Sequence, residues 1–276
     1  MALAEFHLNA NNSLGRMNTF IALIPDKSKG PFPVLYLLHG LSDDQSAWTR
    51  RTLIETMMAD IPLIVIMPNG DRGHYSDSKT VPPNSYEKFI IQNLIPYVDN
   101  TLKTIPKGNK RMVAGLSMGG YGALKLALKY PDLFVGGLSF SGAFNFGNTN
   151  KHKEPKKTLE LQAIYGKKID GNDDLFKLAK NINQKIVPAI HFDCGTEDFC
   201  LDWNRKLHQH LKKINFPHQY EEHPGQHNWN YWNNGLLRMI PWVLETLKIK
   251  ANFDRNNFKL SRSEERRVGK ECRSRW

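Results

Sequence analysis

Gly115-Leu116-Ser117-Met118-Gly119 places a serine between two glycines, directly after the apolar run Met112-Val113-Ala114 and ahead of a helix-spaced run, Tyr121 to Tyr130, that Pro131 ends. Strand, tight turn and helix in that order make the sequence form of a nucleophile elbow. The glycines remove side chains that would clash at the turn, and the serine hydroxyl is pushed up into a cleft. The chemistry such a serine serves is covalent attack on an acyl carbon. A hydroxyl is a weak nucleophile at neutral pH, so the chain must also supply a base to take its proton and an acid to hold that base in one tautomer.

The acid is expected just after a later strand. Val187 to Gly195 reads as such a strand and runs into Thr196-Glu197-Asp198-Phe199, a turn before a helix starting near Leu201. Asp198 is the first candidate; Asp193, inside the strand, and Glu197, one residue early, stay open. Ten histidines compete for the role of base. His191 lies in a strand, and His208 and His210 lie on a Lys-rich amphipathic helix where a solvated surface is the simpler reading. The tract from His218 to Trp232 differs: a short strand, Gln219 to Glu222, ends at His223-Pro224-Gly225, and a loop carries His227 just before a helix beginning around Trp229. A base there can swing its imidazole over the carboxyl edge of the sheet toward Ser117, with His223, at the strand end, as the alternative.

Acyl transfer also needs donors aimed at the oxyanion of the tetrahedral intermediate, each typically worth a few kcal/mol. The backbone N–H of Met118, next after the nucleophile, is one. The strand Val34 to Leu38 is followed by His39-Gly40-Leu41, where the glycine lets the backbone turn toward the cleft, so the N–H of Leu41 is the natural second donor; His39 is read as holding that loop.

These groups must be positioned by a sheet. Apolar strands near Thr19 to Ile24, Val34 to Leu38, Leu63 to Met67, Arg111 to Ala114, Val135 to Ser141 and Ala189 to Asp193 alternate with helical stretches, which predicts an α/β fold with a mostly parallel sheet covered on both faces. Pro68-Asn69-Gly70 and similar Gly/Pro punctuation mark the connecting loops. No internal repeat is visible, and 276 residues can form one domain with a large core.

The segments LLHGLSDDQSAW, GLSMGGYGALKLAL, CGTEDF and PGQHNWNYW together resemble the esterase D family of α/β-hydrolases, most of all the bacterial tributyrin esterases, over roughly Met17 to Leu247. Relatives include S-formylglutathione hydrolases, feruloyl and acetyl-xylan esterases and mycolyltransferases. The resemblance implies an α/β-hydrolase fold, Ser117 as nucleophile, Asp198 as acid, His227 as base, the N–H groups of Leu41 and Met118 as oxyanion hole, short acyl chains, and neither metal nor organic cofactor. One departure concerns substrate: S-formylglutathione hydrolases usually carry a cysteine in the loop after the strand placed here at Val34 to Leu38, whereas this chain has Leu41-Ser42-Asp43-Asp44. The polar, Lys-rich segment 145–183 is either a small lid or an ordinary surface loop with two short helices, and Trp48, Phe144 and Phe146 are candidates to line the acyl pocket.

Residues 262–276 break with the rest: they lack apolar periodicity and read like the in-frame translation of a short-read sequencing adapter, a library artefact in an environmental gene. The expected organisation is a single domain over 1–250, an extension over 251–261 and a disordered tail over 262–276. The tail holds six basic and three acidic residues, so the net charge of +11 becomes +8 without it, and the three cysteines become two. The remaining lysines form no stripe on one helix, which argues for a solvated surface and against a nucleic-acid partner, although weak attraction to acidic polysaccharide stays open. Cys194 and Cys200, with no second pair, are poor evidence for zinc or for a disulfide framework. Met1 to Ala10 has neither the basic start nor the apolar run of a secretory signal, and no segment approaches the roughly 20 apolar residues a membrane helix needs. The expectation is therefore a cytoplasmic serine carboxylesterase acting on a small-molecule ester, an acylated carbohydrate among the candidates, with self-association into a homo-oligomer left open. An acyltransferase, a feruloyl or acetyl-xylan esterase, an S-formylglutathione hydrolase and a non-catalytic binding module on the same fold are the rival readings.

Overall fold

The computed structural model describes residues 1–81, 83–144 and 155–258. Among them, eight strands form one sheet: β1 (Ala2–Asn9), β2 (Met17–Ile24), β3 (Val34–Leu38), β4 (Ile64–Pro68), β5 (Arg111–Leu116), β6 (Gly136–Phe140), β7 (Ala189–Gly195) and β8 (Gln219–His223), in the order β1-β2-β4-β3-β5-β6-β7-β8. β1 pairs antiparallel with β2 and β2 with β4; every later pairing is parallel. The central strands are apolar at nearly every position because helices cover both faces, and all residues of β3, β4, β5 and β6 are buried.

Alternate residues of each strand feed two cores. Phe20, Val34, Tyr36, Ile66 and Val113 point to one face, which α1 (Met118–Lys129) and α2 (Leu201–Lys213) cover through Leu124, Leu128, Leu207 and Leu211. Leu35, Leu37, Val65, Met112 and Ala114 point to the other, covered by α3 (Trp229–Leu247) and by the short helices Ala47–Arg51 and Ile54–Met58. Rising hydrophobic periodicity near residue 121 marked only the apolar part of α1; the helix starts at Met118, immediately after the elbow serine.

β1 goes beyond the sequence reading. Ala4, Phe6 and Leu8 turn inward while Glu5, His7 and Asn9 face solvent, the period-two pattern of a half-buried strand, and Phe6 stacks on Phe20 of β2 with ring centroids 4.8 Å apart. Of the 145–183 segment, residues 145–154 lie outside the described residues; the rest holds two helices, Pro155–Tyr165 and Leu175–Lys180, the second capped by Asp174, whose carboxylate accepts from the N–H groups of Phe176 and Lys177. Phe146 and the tail 262–276 also lie outside the described residues.

Candidate active site

The elbow is built by exclusion. A Cβ on Gly115 would stand 2.4 Å from the carbonyl oxygen of Gly119, and one on Gly119 would stand 2.5 Å from that of Leu38, so both glycines are demanded by backbone against backbone. Ser117 between them takes φ 52°, ψ −113°, a conformation that costs of order 1–3 kcal/mol for a residue with a Cβ. Its neighbours hold it there: its N–H donates to Phe140 O at 2.9 Å, and its carbonyl accepts from Tyr121 N–H and Ala143 N–H, each at 3.0 Å.

The loops after β7 and β8 meet this serine as a pair. His227 Nε2 lies 3.0 Å from Ser117 Oγ, and His227 Nδ1 lies 3.0 and 2.9 Å from the two carboxylate oxygens of Asp198. That geometry keeps the proton on Nδ1 and leaves Nε2 free to accept the serine proton. Burial pushes the Asp198 carboxyl up, but hydrogen bonds from His227 and from the Cys200 N–H (2.7 Å) outweigh it and hold the group below the usual carboxylate range. The two loops are also latched to each other: Thr196 N–H donates to His223 O at 2.9 Å and Glu197 N–H to Gly225 O at 3.0 Å. A Cβ on Gly195 would meet Gly225 O at 2.2 Å, so this close approach needs glycine there. Asn228, next after His227, caps α3 by accepting from the N–H of Tyr231.

A third loop brings the backbone donors. The ring of His39 accepts the Gly70 N–H at Nε2 (2.8 Å), so its own proton sits on Nδ1 and is donated to Gly40 O (2.7 Å). Burial holds this imidazole below the ordinary histidine value and keeps it neutral, as that double role requires. The Gly40 carbonyl and the Leu41 N–H belong to one planar trans peptide and point in opposite directions, so fixing the first fixes the second. Among the described residues, neither the Leu41 N–H nor the Met118 N–H donates to a protein acceptor.

The remaining candidates go elsewhere. Asp193 is fully buried in β7 and paired with Arg238 of α3 at 2.7 Å. Glu197 accepts from its neighbour Thr196 on the surface. His223 contacts Glu221 Oε2 at 2.8 Å, His191 approaches Glu221 and Trp242, and His208 pairs with His218. Trp48 does not line a pocket: it has no exposed surface, packs edge-on against Trp229 at 5.4 Å and donates its indole N–H to Leu38 O. Phe144 likewise turns into the core, edge-on to Phe192 of β7 at 5.9 Å. Both corrections have one cause, since a large ring near a sheet gains more from full burial than from lining an open cleft.

Sequence reasoning missed the two rings that bracket His227: Phe199 at 4.3 Å between centroids, and Trp232 edge-on at 5.0 Å, whose indole N–H donates to Ser141 Oγ. The first is adjacent to Asp198 in the chain; the second lies one helical turn after Asn228 and carried no separate signal. Among the described residues, Asp198, Cys200 and His227 also have donor atoms within 4.8 Å of one another, the spacing of a metal site. Their chemistry suits a triad better: Nδ1 already serves Asp198, and burial pushes the Cys200 thiol far up, away from the thiolate that a metal takes.

The Esterase family profile matches residues 11–243. An acetyl esterase of Caldicellulosiruptor saccharolyticus is 27% identical over 262 residues, covering 87% of this chain and 98% of that protein. Fluorophosphonate-binding serine hydrolase F of Staphylococcus aureus superposes with a TM-score of 0.78 at 28% identity, over 88% of this chain and 98% of that one. An S-formylglutathione hydrolase of the same organism gives a TM-score of 0.74 at 28% identity, over 88% and 100%.

Proposed function

As a member of the Esterase family, to which this chain belongs, the protein is a serine carboxylesterase of the α/β-hydrolase fold, and we propose that it cleaves short-chain acyl esters by two-step acyl transfer through Ser117, His227 and Asp198. The observation that carries this reading is the unbroken line of contacts from Ser117 Oγ through both nitrogens of His227 to the carboxylate of Asp198.

Ser117 Oγ attacks the ester carbonyl carbon while His227 Nε2 takes its proton. The carbonyl π electrons move onto oxygen, which the N–H groups of Leu41 and Met118 receive, and Asp198 stabilises the imidazolium. Collapse of the intermediate breaks the bond to the leaving oxygen, and His227 gives that oxygen its proton, releasing the alcohol and leaving an acyl-serine. Water, deprotonated by His227, repeats the addition and collapse to release the acid and restore Ser117.

The preference for short acyl groups leans on the acetyl esterase among the relatives. The S-formylglutathione hydrolase among the structural neighbours raises a thioester as the second reading, against which stands the cysteine-free loop Leu41 to Asp44. As part of the same proposal the enzyme acts in the cytoplasm on small-molecule esters, where Cys194 and Cys200 stay free thiols; no described helix is long and apolar enough to cross a membrane.

The test is the hydrolysis rate across p-nitrophenyl esters from acetate to laurate, with methyl ferulate and S-formylglutathione alongside, for wild type and Ser117→Ala. The expected result is a maximum at acetate to butyrate that Ser117→Ala lowers by several orders of magnitude with the thermal midpoint retained. Turnover that survives Ser117→Ala overturns the nucleophile, and a dominant rate on the ferulate or the thioester reassigns the substrate.

A further inference from the structure

Phe199 is 67% exposed, which is unusual for a phenylalanine held this firmly. Its turn is fixed on both sides: Asp198 N–H donates to Gly195 O, Leu201 N–H donates to Asp198 O, and Asp198 Oδ1 accepts from Cys200 N–H. One side of its ring rests against the His227 imidazole at 4.3 Å, and Trp203 of α2 meets it edge-on at 6.0 Å. The remainder faces solvent, beside the His227 ring.

The reaction determines which part of an ester comes there. His227 Nε2 must come within hydrogen-bond reach of the leaving oxygen to protonate it, so the carbon bearing that oxygen sits next to the imidazole. The acyl carbonyl is drawn instead toward the Leu41 and Met118 N–H groups. An exposed ring against His227 therefore borders the alcohol half of the ester. We infer that Phe199 is a specificity-determining residue for the leaving alcohol, a flat apolar platform that favours alcohols with a ring face, aryl or alicyclic, over small alkyl alcohols. This rests on the acyl-enzyme mechanism proposed above and deepens it, because Phe199 then acts before the acyl-enzyme forms and has no contact with the substrate afterwards.

Two kinetic quantities separate these stages. With methyl, cyclohexyl and phenyl acetates, kcat/KM reports acylation and depends on the alcohol; breakdown of the common acetyl-enzyme, read from p-nitrophenyl acetate after its burst, does not. For Phe199→Ala the expected outcome is a loss of about tenfold in kcat/KM for the cyclohexyl and phenyl esters, the scale of an apolar contact, little change for methyl acetate and unchanged acetyl-enzyme breakdown. Phe199→Trp should restore the ring-ester rates. Equal losses on all three alcohols, or slowed acetyl-enzyme breakdown, overturn the proposal and make Phe199 a support for His227; no loss on any ester overturns it as well. Wild-type enzyme without Ser117-dependent turnover of any acetate refutes the underlying mechanism, a failure distinct from those seen in the variant alone.

Discussion

Helix α1 carries two polar clusters. At its first turn stand Ser117, His227 and Asp198; farther along, Lys125 is buried without exposed surface, its ammonium 2.8 Å from Glu87, 3.1 Å from Asp173, 2.8 Å from Tyr75 O and 2.6 Å from Ser76 Oγ. Burial pulls Lys125 down, yet the two carboxylates outweigh it and hold the ammonium above its ordinary value. Every donor in this knot is spent, and it ties α1 to the loop after β4 and to the segment ahead of Leu175. The proposed catalytic cluster is also largely buried, with the Asp198 side chain at 0% and that of His227 at 16%, but one end remains open: in the proposed mechanism Ser117 Oγ is a donor whose acceptor changes during the reaction. The residue types overlap; saturation makes an anchor, and one open valence makes a reagent.

The comparison breaks most sharply at Asp198. Asp198→Asn preserves shape and removes the charge that holds His227 with its proton on Nδ1, so kcat should fall about 10⁴-fold with the thermal midpoint barely moved; a loss under tenfold in a steady-state assay would show that His227 is oriented by something else. Lys125→Met should do the reverse. It strands the buried Asp173 carboxylate and takes one partner from Glu87, which keeps Lys129 and the Tyr130 hydroxyl, and should cost about 3–5 kcal/mol in urea unfolding, while kcat/KM at low temperature stays within a few-fold of wild type; a stable variant with lost activity would make the knot part of the catalytic machinery.

Asp43 sharpens the contrast with a smaller effect. Its Oδ2 stands 3.4 Å from where a Cβ on Gly40 would lie, a point 3.7 Å from Ser117 Cβ, and among the described residues no hydrogen bond or ion pair is made to its carboxylate. Burial pushes this carboxyl up to about 6, with Arg51 and Arg50 pulling it down and Asp44 pushing it up. A folded-state value above the unfolded one means that the native chain holds the proton more tightly, so stability falls as pH rises from about 4 to about 6 and is level above that. Asp43→Asn should therefore stabilise the protein by on the order of 1–2 kcal/mol at pH 7, with no gain at pH 4. A gain that is the same at both pH values would assign the effect to packing.

The elbow was legible because its demands are local: small residues on a turn between a buried strand and a helix leave a mark within twelve residues. The acid was less so. Asp193 and Asp198 both follow apolar residues of one strand, and what separates them is Arg238, far along the chain, which claims the first and leaves the second to His227. Trp48 and Phe144 were misplaced for the same reason, since the partners that turn them inward, Trp229 and Phe192, are remote in sequence. β1 was legible in principle, through the alternation of Ala4, Phe6 and Leu8 with polar residues, but a strand at a sheet edge is apolar on one side only and leaves a fainter trace than the buried runs of β3 or β5. His227 stood out by the loop in which it sits, whereas Phe199 did not, because a lone phenylalanine in a turn has no periodicity to betray it.

The latch between the loops after β7 and β8 has a consequence in time. Acid and base form one unit, and that unit comes late: Ser117 and His227 are 110 residues apart in the chain. At a synthesis rate of 5–20 residues per second this is a delay on the order of ten seconds between making the proposed nucleophile and making its proposed base. Throughout that interval a growing chain holds its serine without a base, and the elbow can settle between β5 and α1 before anything on the ribosome is able to attack an ester.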